Sequence, residues 1–216
     1  MGSTYIQRGD LDRGLECCKE ALALAPILPC DAAMAKAACG YADIKAGRID
    51  AGIAELNKTL AWCDSSGLRH SYLRIRYALW LAEGHLRRGD HASARPLIDD
   101  ALNTSDKTGK LHCKGLACWL MGESLAADQP GAAEEYVETA MQVLEEIGAR
   151  DDLAKAMVTR AALRQALGDT TMARQLLEQA GAIFRTLGTL GEPERVEAAL
   201  AALETNSEIQ LLAGRS

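Results

Sequence analysis

The amino-acid sequence predicts an all-α, right-handed solenoid of about five antiparallel helix pairs that ends in a C-terminal helix. The main observation is a glycine turn that recurs after 38 residues from Gly9 to Gly47, 42 to Gly89 and 79 to Gly168, the last step spanning two periods. A fixed period near 40 residues is typical of repeat arrays. The chain also lacks a sustained alternation of apolar and polar residues, which argues against strands.

Small residues recur in phase with these turns. They stand five and twelve residues after the turn glycine and seven residues before it. Positions seven apart are separated by two helical turns and share one face, so small side chains there let two helix axes approach to about 8–10 Å. The positions are Gly14, Ala21, Gly40, Gly52, Thr59, Ala82, Ala94, Ala101, Ala161, Ala173 and Ala180, with Ala133 and Ala140 beside the disguised turn at 128–131.

The sequence predicts one solenoid domain at residues 1–204 and a tail at 205–216. We expect the tail to be frayed. Its apolar residues Ile209, Leu211 and Leu212 are nevertheless candidates to dock on the last repeat. Within the pairs, Asp31 and Asp50 are predicted helix N-caps. A polar loop is predicted at 104–109. The predicted repeats span about 1–28, 31–67, 69–108, 110–148 and 152–188, and a closing helix follows at 193–204.

The N-terminal sequence predicts that the first helix pair is incomplete. Residues 5–9 have the character of a final helical turn, and residues 11–25 that of the second helix. We interpret the chain as a fragment whose first three residues are an expression remnant; a short native N-terminus is the alternative. Because an array needs a polar cap on its terminal face, we expect Gly14 and its neighbours to leave an apolar strip. A second copy or preceding sequence would cover that strip.

Composition limits the function classes. The formal net charge is −6, which argues against nucleic-acid binding by this region because such binding needs a basic face. The start has no signal-peptide pattern, and no run of about 18 apolar residues indicates a membrane span. With seven cysteines and no such signal, the chain is predicted to be cytoplasmic with reduced thiols.

No pattern of side chains predicts catalysis, a metal or a cofactor. The spacing of Cys113 and Cys118 with His112 does not match the paired ligands of zinc sites. Neighbouring acids such as Asp99 and Asp100 are most simply solvated helix faces, because acid–base chemistry needs two carboxylates in a shared cleft. Phosphate-loop and nucleophile motifs are absent. We therefore predict a protein that is not an enzyme.

The repeat pattern resembles the tetratricopeptide repeat (TPR). The resemblance covers about residues 5–187. Helices longer than usual resemble a variant in the C-terminal regions of bacterial class III adenylate cyclases and LuxR-type ATP-dependent activators. The resemblance is carried by Ala82, Gly89, Ala94 and Ala101 in the third repeat, by Ala161, Gly168, Ala173 and Ala180 in the fifth, and by Pro26 at the end of the first.

The sequence also departs from the family. The family's Trp is absent, its Tyr survives only as Tyr5, and the period is about 40 rather than about 34 residues. A HEAT-like array also has a period near 40 and remains the alternative fold.

The resemblance implies a binding groove lined by the first helix of each pair. Two interpretations of these side chains stay open at this point: a groove for an extended peptide, a helix or the protein's own upstream domain, or a core Trp119 with ordinary surface charges. The implied groove residues are Tyr41, Lys45, Arg76, Glu83, Arg87, Trp119 and Glu123.

We therefore predict a non-catalytic protein–protein interaction or sensor module within a larger bacterial signalling protein. Its expected partner is a protein or peptide segment, with a homodimer through the uncapped first repeat as a further expectation. The alternative is a regulatory region of a nucleotide cyclase or ATPase-type activator that acts by intramolecular contact or by binding a small effector.

Overall fold

Helices form nearly all of the described chain. The computed structural model describes the backbone of residues 1–23 and 29–213, and the side chains of residues 1–23 and 30–205. Within these ranges there are eleven α-helices and no strand. The helices are α1 (Gly2–Gln7), α2 (Leu11–Ala23), α3 (Pro29–Lys45), α4 (Ile49–Ser65), α5 (Tyr72–Arg87), α6 (His91–Thr108), α7 (Leu111–Leu125), α8 (Pro130–Glu146), α9 (Arg150–Ala166), α10 (Thr170–Leu187) and α11 (Glu192–Ala213).

The helices are arranged in two layers. The odd-numbered helices α1 to α9 each contact the next odd-numbered helix, so they form a continuous inner layer. The even-numbered helices α2 to α10 contact only the helices before and after them in the chain, apart from weaker approaches, and form the outer layer. Helix α11 packs on α10. This arrangement is the α-solenoid that the sequence predicts.

The predicted small positions lie where paired helices touch. All of them are buried except Ala21, which is half-buried. At the contact between α3 and α4 the approach is so close that a Cβ added to Gly52 would collide with the carbonyl oxygen of Gly40. The backbones of the two helices therefore meet directly, as the spacing of small residues predicts.

Aspartate N-caps and turn glycines mark the starts of the outer helices. The Asp90 side chain accepts a hydrogen bond from Ser93 N at 3.1 Å, and Asp169 accepts one from Met172 N at 3.0 Å. Each aspartate thus satisfies one of the free N–H groups at a helix start. Backbone φ is positive at the predicted turn glycines Gly9, Gly47, Gly89 and Gly168.

Two predicted N-caps are wrong. Asp31 lies inside the first turn of α3, which already begins at Pro29, because proline suits the first helical position. Asp50 likewise lies in the first turn of α4, where the turn at Gly47 places Arg48 at the cap. Both acids still lie near the positive end of a helix dipole, which explains their position.

The predicted polar loop at 104–109 is also wrong. Helix α6 continues to Thr108 and ends at Gly109, whose φ of 65° closes the helix. Ser105 is 1% exposed and faces the core, so a polar residue occupies a buried position of the helix where the sequence suggests a loop. Helix α11 likewise continues to Ala213, beyond the predicted end at residue 204.

Two predictions lie outside the described residues. They concern the repeat-ending Pro26 and the docking of the side chains of Ile209, Leu211 and Leu212. The last described residue of the predicted helix at 11–25 is Ala23. No helix in the described ranges is both long enough and apolar enough to cross a membrane.

The first and last repeats meet. In the first pair, Ile6 of the short helix α1 is fully buried against Gly14 of α2. Beyond α1, the backbone N–H of Leu190 donates to the Arg8 carbonyl oxygen at 2.7 Å, and the Arg8 guanidinium donates to the Gly188 carbonyl oxygen at 3.3 Å. The turn after α1 therefore touches the segment between α10 and α11, so the two ends of the solenoid are in contact.

Candidate binding site on the inner helices

The inner helices surround two cavities with a constriction between them. The charged cavity has a volume of about 420 Å³ and the aromatic cavity about 630 Å³, whereas the constriction holds about 20 Å³. Trp80 lines both the aromatic cavity and the constriction, and Glu83 lines both the constriction and the charged cavity. The constriction therefore adjoins both cavities and itself has room for about one water molecule.

Each cavity is named after its main lining residues. The charged cavity is defined by Lys45, Arg87, Trp119, Glu123, Thr159 and Arg195, the aromatic cavity by Met34, Tyr72, Leu73, Arg76, Tyr77 and Trp80, and the constriction by Gln7, Tyr41, Glu83, Leu116, Asp152 and Lys155.

Glu83 is the centre of a buried hydrogen-bond network. The Tyr41 hydroxyl donates to Glu83 Oε2 at 2.8 Å, Arg87 Nη2 lies 3.0 Å from Oε1, and Lys45 Nζ lies 3.8 Å from Oε1. Burial raises the pKa of Glu83, but the nearby charges of Lys45 and Arg87 and the Tyr41 hydrogen bond outweigh it, so the net pKa is lowered. Glu83 is therefore an ionised, fully partnered carboxylate that joins α3 to α5.

Trp119 and Glu123 share a partner on the next inner helix. Trp119 Nε1 donates to Thr159 Oγ1 at 2.8 Å, and Thr159 Oγ1 donates to Glu123 Oε1 at 3.1 Å. Burial and the negative charge of Glu83 raise the pKa of Glu123 to about 7. Trp119 is 8% exposed and forms part of the cavity wall, so it packs as a core residue and also fixes the polar group beside Glu123.

A second polar network connects the constriction with the aromatic cavity. His112 Nε2 lies 2.8 Å from Asp152 Oδ2, and His112 Nδ1 lies 2.8 Å from the Tyr72 hydroxyl. Lys155 Nζ completes the network at 3.0 Å from Asp152 Oδ1 and 2.6 Å from Asp151. Burial raises the pKa of Asp152, but the charge of Lys155 and the contact with His112 outweigh it and lower the pKa overall.

The aromatic cavity combines aromatic rings with a guanidinium, and its Trp80 ring stacks on Tyr41 of the constriction. Tyr41 and Trp80 stack with ring centroids 4.6 Å apart, and the Arg76 guanidinium carbon lies 5.3 Å from the centroid of Trp80. Arg76 Nη1 also donates to the Tyr72 hydroxyl at 2.6 Å. Among the described residues no carboxylate pairs with Arg76, so its charge is held in place only by neutral groups.

The predicted groove residues are distributed over the two cavities and the constriction on the inner layer. Lys45, Glu83, Arg87, Trp119 and Glu123 line the charged cavity. Two predicted residues lie elsewhere on the inner layer, with Tyr41 in the constriction and Arg76 in the aromatic cavity.

Sequence reasoning missed Tyr72, His112, Asp152 and Lys155 as members of the site. A signal was present, because Tyr72, His112 and Asp152 follow one another at intervals of 40 residues, the repeat period. Equivalent positions of successive repeats are neighbours on the inner layer, so polar side chains at the repeat period predict hydrogen bonds between repeats.

The described residues show no arrangement suited to metal binding. No group of three or more His, Cys, Asp or Glu side chains that could hold a metal ion occurs among them. All seven cysteines lie in described helices and are free thiols. Burial raises the pKa of Cys39 to about 12, and that of Cys113 and Cys118 to about 11, which keeps these thiols protonated near neutral pH.

Comparisons with solved structures show the class of fold. The chain is similar to BtubC (BKLC) from P. vanneervenii, with a TM-score of 0.63, 17% sequence identity, and coverage of 86% of this chain and 78% of that one. It is also similar to a Podosopora anserina putative kinesin light chain with nearly identical TPR-like repeats, in two structures with TM-scores of 0.58 and 0.56. Both show 17% identity and cover 84% of this chain and 90% of that one.

The fold is thus an all-α, TPR-like solenoid. No protein-family model matches the chain, and no curated protein is significantly similar to it in sequence.

Proposed function

We propose that the chain is a non-catalytic protein-interaction module that binds a peptide segment in the aromatic cavity. The segment carries apolar side chains and one carboxylate, from an Asp or Glu side chain or from a C-terminus. A TPR-like fold is compatible with a protein-binding scaffold, but the cavity itself supports the chemistry of this partner.

The apolar part of the proposal is supported by exposed side chains. Met34, Tyr72 and Leu73 are 38%, 37% and 36% exposed and stand together at the aromatic cavity. The cavity is large enough, at about 630 Å³, to take several side chains of a bound segment. Burying such side chains removes apolar surface from water, which is the main favourable contribution to binding.

The carboxylate is supported by Arg76, the single observation that carries the proposal. Its guanidinium is held by the Tyr72 hydroxyl and the Trp80 ring, and no described carboxylate neutralises it. A guanidinium held in one orientation binds a carboxylate with little further loss of side-chain freedom. Glu20 and Asp31 also line the cavity, so its lining includes negative as well as positive side chains.

The proposal places this module in a larger cytoplasmic signalling protein of bacterial type. The long helices that resemble the C-terminal regions of class III adenylate cyclases and LuxR-type activators support this context. In a cyclase or ATPase-type activator the bound segment would come from the same chain, and the contact would be regulatory. An open reading frame that encodes such a catalytic module upstream of these repeats would support the intramolecular form.

A homodimer through the first repeat is a second part of the proposal. Helix α1 has six residues and α2 has thirteen, so α1 covers only part of its partner. Leu15 and Leu22 of α2 remain half-buried. Apolar strips of this kind are frequent at interfaces. Light scattering across a concentration series measures whether the dimer forms.

Selection from a displayed library of random twelve-residue peptides tests the binding proposal. We expect enriched peptides to combine apolar residues with an Asp, a Glu or a free C-terminus, and to bind Arg76→Gln about ten- to a hundredfold more weakly than the wild type. Arg185→Gln, a change of an exposed arginine on α10, is the matched control and should leave affinity unchanged. Selected peptides that bind Arg76→Gln and wild type equally would overturn the proposal.

A further inference from the structure

Glu123 is an unpaired carboxylate in the wall of the charged cavity. It is half-buried, and Thr159 is its only hydrogen-bond partner in the described chain. No described lysine or arginine lies within ion-pair distance of it, although Lys45 and Arg87 are near enough to influence its pKa. Partly buried carboxylates are usually paired, so Glu123 is complementary to a cation that no described residue supplies.

Lys45 lies in the same cavity and has unused hydrogen-bond donors. Its only ion-pair contact among the described side chains is Glu83, at 3.8 Å. The other cations of the cavity have closer partners: Arg87 lies 3.0 Å from Glu83, Lys155 2.6 Å from Asp151, and Arg195 3.1 Å from Glu192. An ammonium group has three donors, and Glu83 already accepts from Tyr41 and Arg87. Lys45 can therefore bind an additional anion.

The unpaired Glu123 and the loosely paired Lys45 point to one class of ligand. We propose that the charged cavity binds a small zwitterion, an α-amino acid or a dipeptide, with its ammonium group on Glu123 and its carboxylate on Lys45. The cavity volume of about 420 Å³ suits a ligand of this size. A simple anion would be repelled by Glu83 and Glu123, and a simple cation would leave Lys45 unmatched.

This site is separate from the proposed peptide site. Lys45 and Glu123 do not line the aromatic cavity, and Arg76 does not line the charged cavity. The zwitterion site therefore goes beyond the proposed function and does not depend on it. Binding of the two ligands can be measured independently on the same protein.

Titration of the full chain with defined zwitterions tests the inference. Each of the twenty common α-amino acids and the dipeptide Ala-Ala is screened by ligand-observed NMR, and the tightest is measured by calorimetry. We expect at least one to bind with a millimolar or lower Kd. Its N-acetylated and C-amidated derivatives should each bind at least about tenfold more weakly than the parent ligand, because each loses one charged contact.

Substitutions assign the binding to this cavity. Glu123→Gln and Lys45→Met should each weaken binding about ten- to a hundredfold. The matched controls are Glu178→Gln and Lys107→Met, which change exposed residues outside the cavity and should bind as the wild type does. Circular dichroism at each titration temperature verifies that all four variants are folded.

The outcomes are distinct. Lack of binding by every zwitterion, or equal binding by Glu123→Gln, Lys45→Met and the wild type, overturns the inference. Peptides selected at the aromatic cavity should bind Glu123→Gln as tightly as they bind the wild type. Failure of peptide binding therefore bears on the proposed function and not on the zwitterion site.

Discussion

His112 Nε2 lies 2.8 Å from Asp152 Oδ2, in the next repeat and 40 residues further along the chain. Tyr72, 40 residues before His112, contacts the other ring nitrogen at 2.8 Å. Three equivalent positions in three repeats are thus joined by direct hydrogen bonds. Inner helices of adjacent repeats are therefore held in register by polar contacts as well as by apolar packing.

Replacement of His112 by leucine should destabilise the fold. The substitution leaves one oxygen of the Asp152 carboxylate without its partner, and the Asp152 side chain is only 14% exposed. We expect the free energy of unfolding in urea to fall by about 1–3 kcal/mol. His70→Leu, at an exposed position, is the matched control. Equal losses in the two variants would show that the contact between repeats contributes nothing specific.

Gly52→Ala should be destabilising although alanine is the better helix former. The added methyl group would meet the Gly40 carbonyl oxygen and force α3 and α4 apart. We expect a net loss of about 1–3 kcal/mol in thermal or urea unfolding, because the packing cost exceeds the helix-propensity gain of about 1 kcal/mol.

The control for this change is Gly131→Ala in the first turn of α8. An added Cβ at Gly131 has no atom within 4 Å. This variant should therefore be as stable as the wild type or more stable by up to about 1 kcal/mol. If both alanine variants gained stability, the close backbone approach of α3 and α4 would be refuted.

The contact between the two ends of the solenoid can be tested at Gly9. Its φ is +88°, and an added Cβ would lie 2.5 Å from the Leu190 carbonyl oxygen, whereas Gly47 has a φ of +83° with no atom within 4 Å of the added position. Alanine at either position costs about 1–2 kcal/mol for the left-handed backbone. Only Gly9→Ala should also separate the two ends of the solenoid.

Hydrogen exchange measured by mass spectrometry distinguishes these variants. We expect Gly9→Ala to accelerate exchange at residues 5–9 and 188–191, and Gly47→Ala to leave both segments protected. Rapid exchange of both segments in the wild type would mean that the ends do not stay in contact in solution.

Glu123 should make stability depend on pH. Burial and the charge of Glu83 raise the pKa of this group to about 7 in the folded state, above its ordinary value of 4.5. Because the fold favours the protonated form, ionisation of Glu123 adds no cost below about pH 4.5 and a growing cost as the pH rises through 7. The neighbouring groups that set this pKa are Glu83, Arg87, Lys45 and Thr159.

Glu123→Gln removes the ionisable group and keeps an acceptor for Thr159. Relative to the wild type, its free energy of unfolding should rise by about 1–3 kcal/mol between pH 4.5 and pH 8. Urea unfolding at several pH values measures this difference, with Glu178→Gln as the control. A difference that is constant over this range would contradict the raised pKa.

The architecture could be predicted from sequence because its causes are local and periodic. Gly52 and Ala94 stand at a fixed distance after their turns, so their burial between paired helices follows from helix geometry alone. The end of α6 was missed because Ser105 is a polar residue at a buried position. This polar side chain interrupts the apolar periodicity from which the rest of the helix is predicted.

The site was only partly predictable because its contacts join different repeats. Glu83 lies on an inner helix, but its burial among Tyr41, Lys45 and Arg87 depends on how tightly the solenoid curves. Lys155 was missed for the same reason. The curvature is the sum of small rotations between successive repeats, and single-sequence patterns carry little information about such rotations.

A double-mutant cycle between Arg76 and the acidic residue of a selected peptide tests the central claim most directly. Fluorescence anisotropy gives the affinities of wild type and Arg76→Gln for the peptide and for its Asn- or Gln-substituted form. We expect a coupling energy of about 1–3 kcal/mol between the two charged groups. A coupling energy of zero, with both substitutions tolerated independently, would contradict the proposal that Arg76 receives the partner's carboxylate.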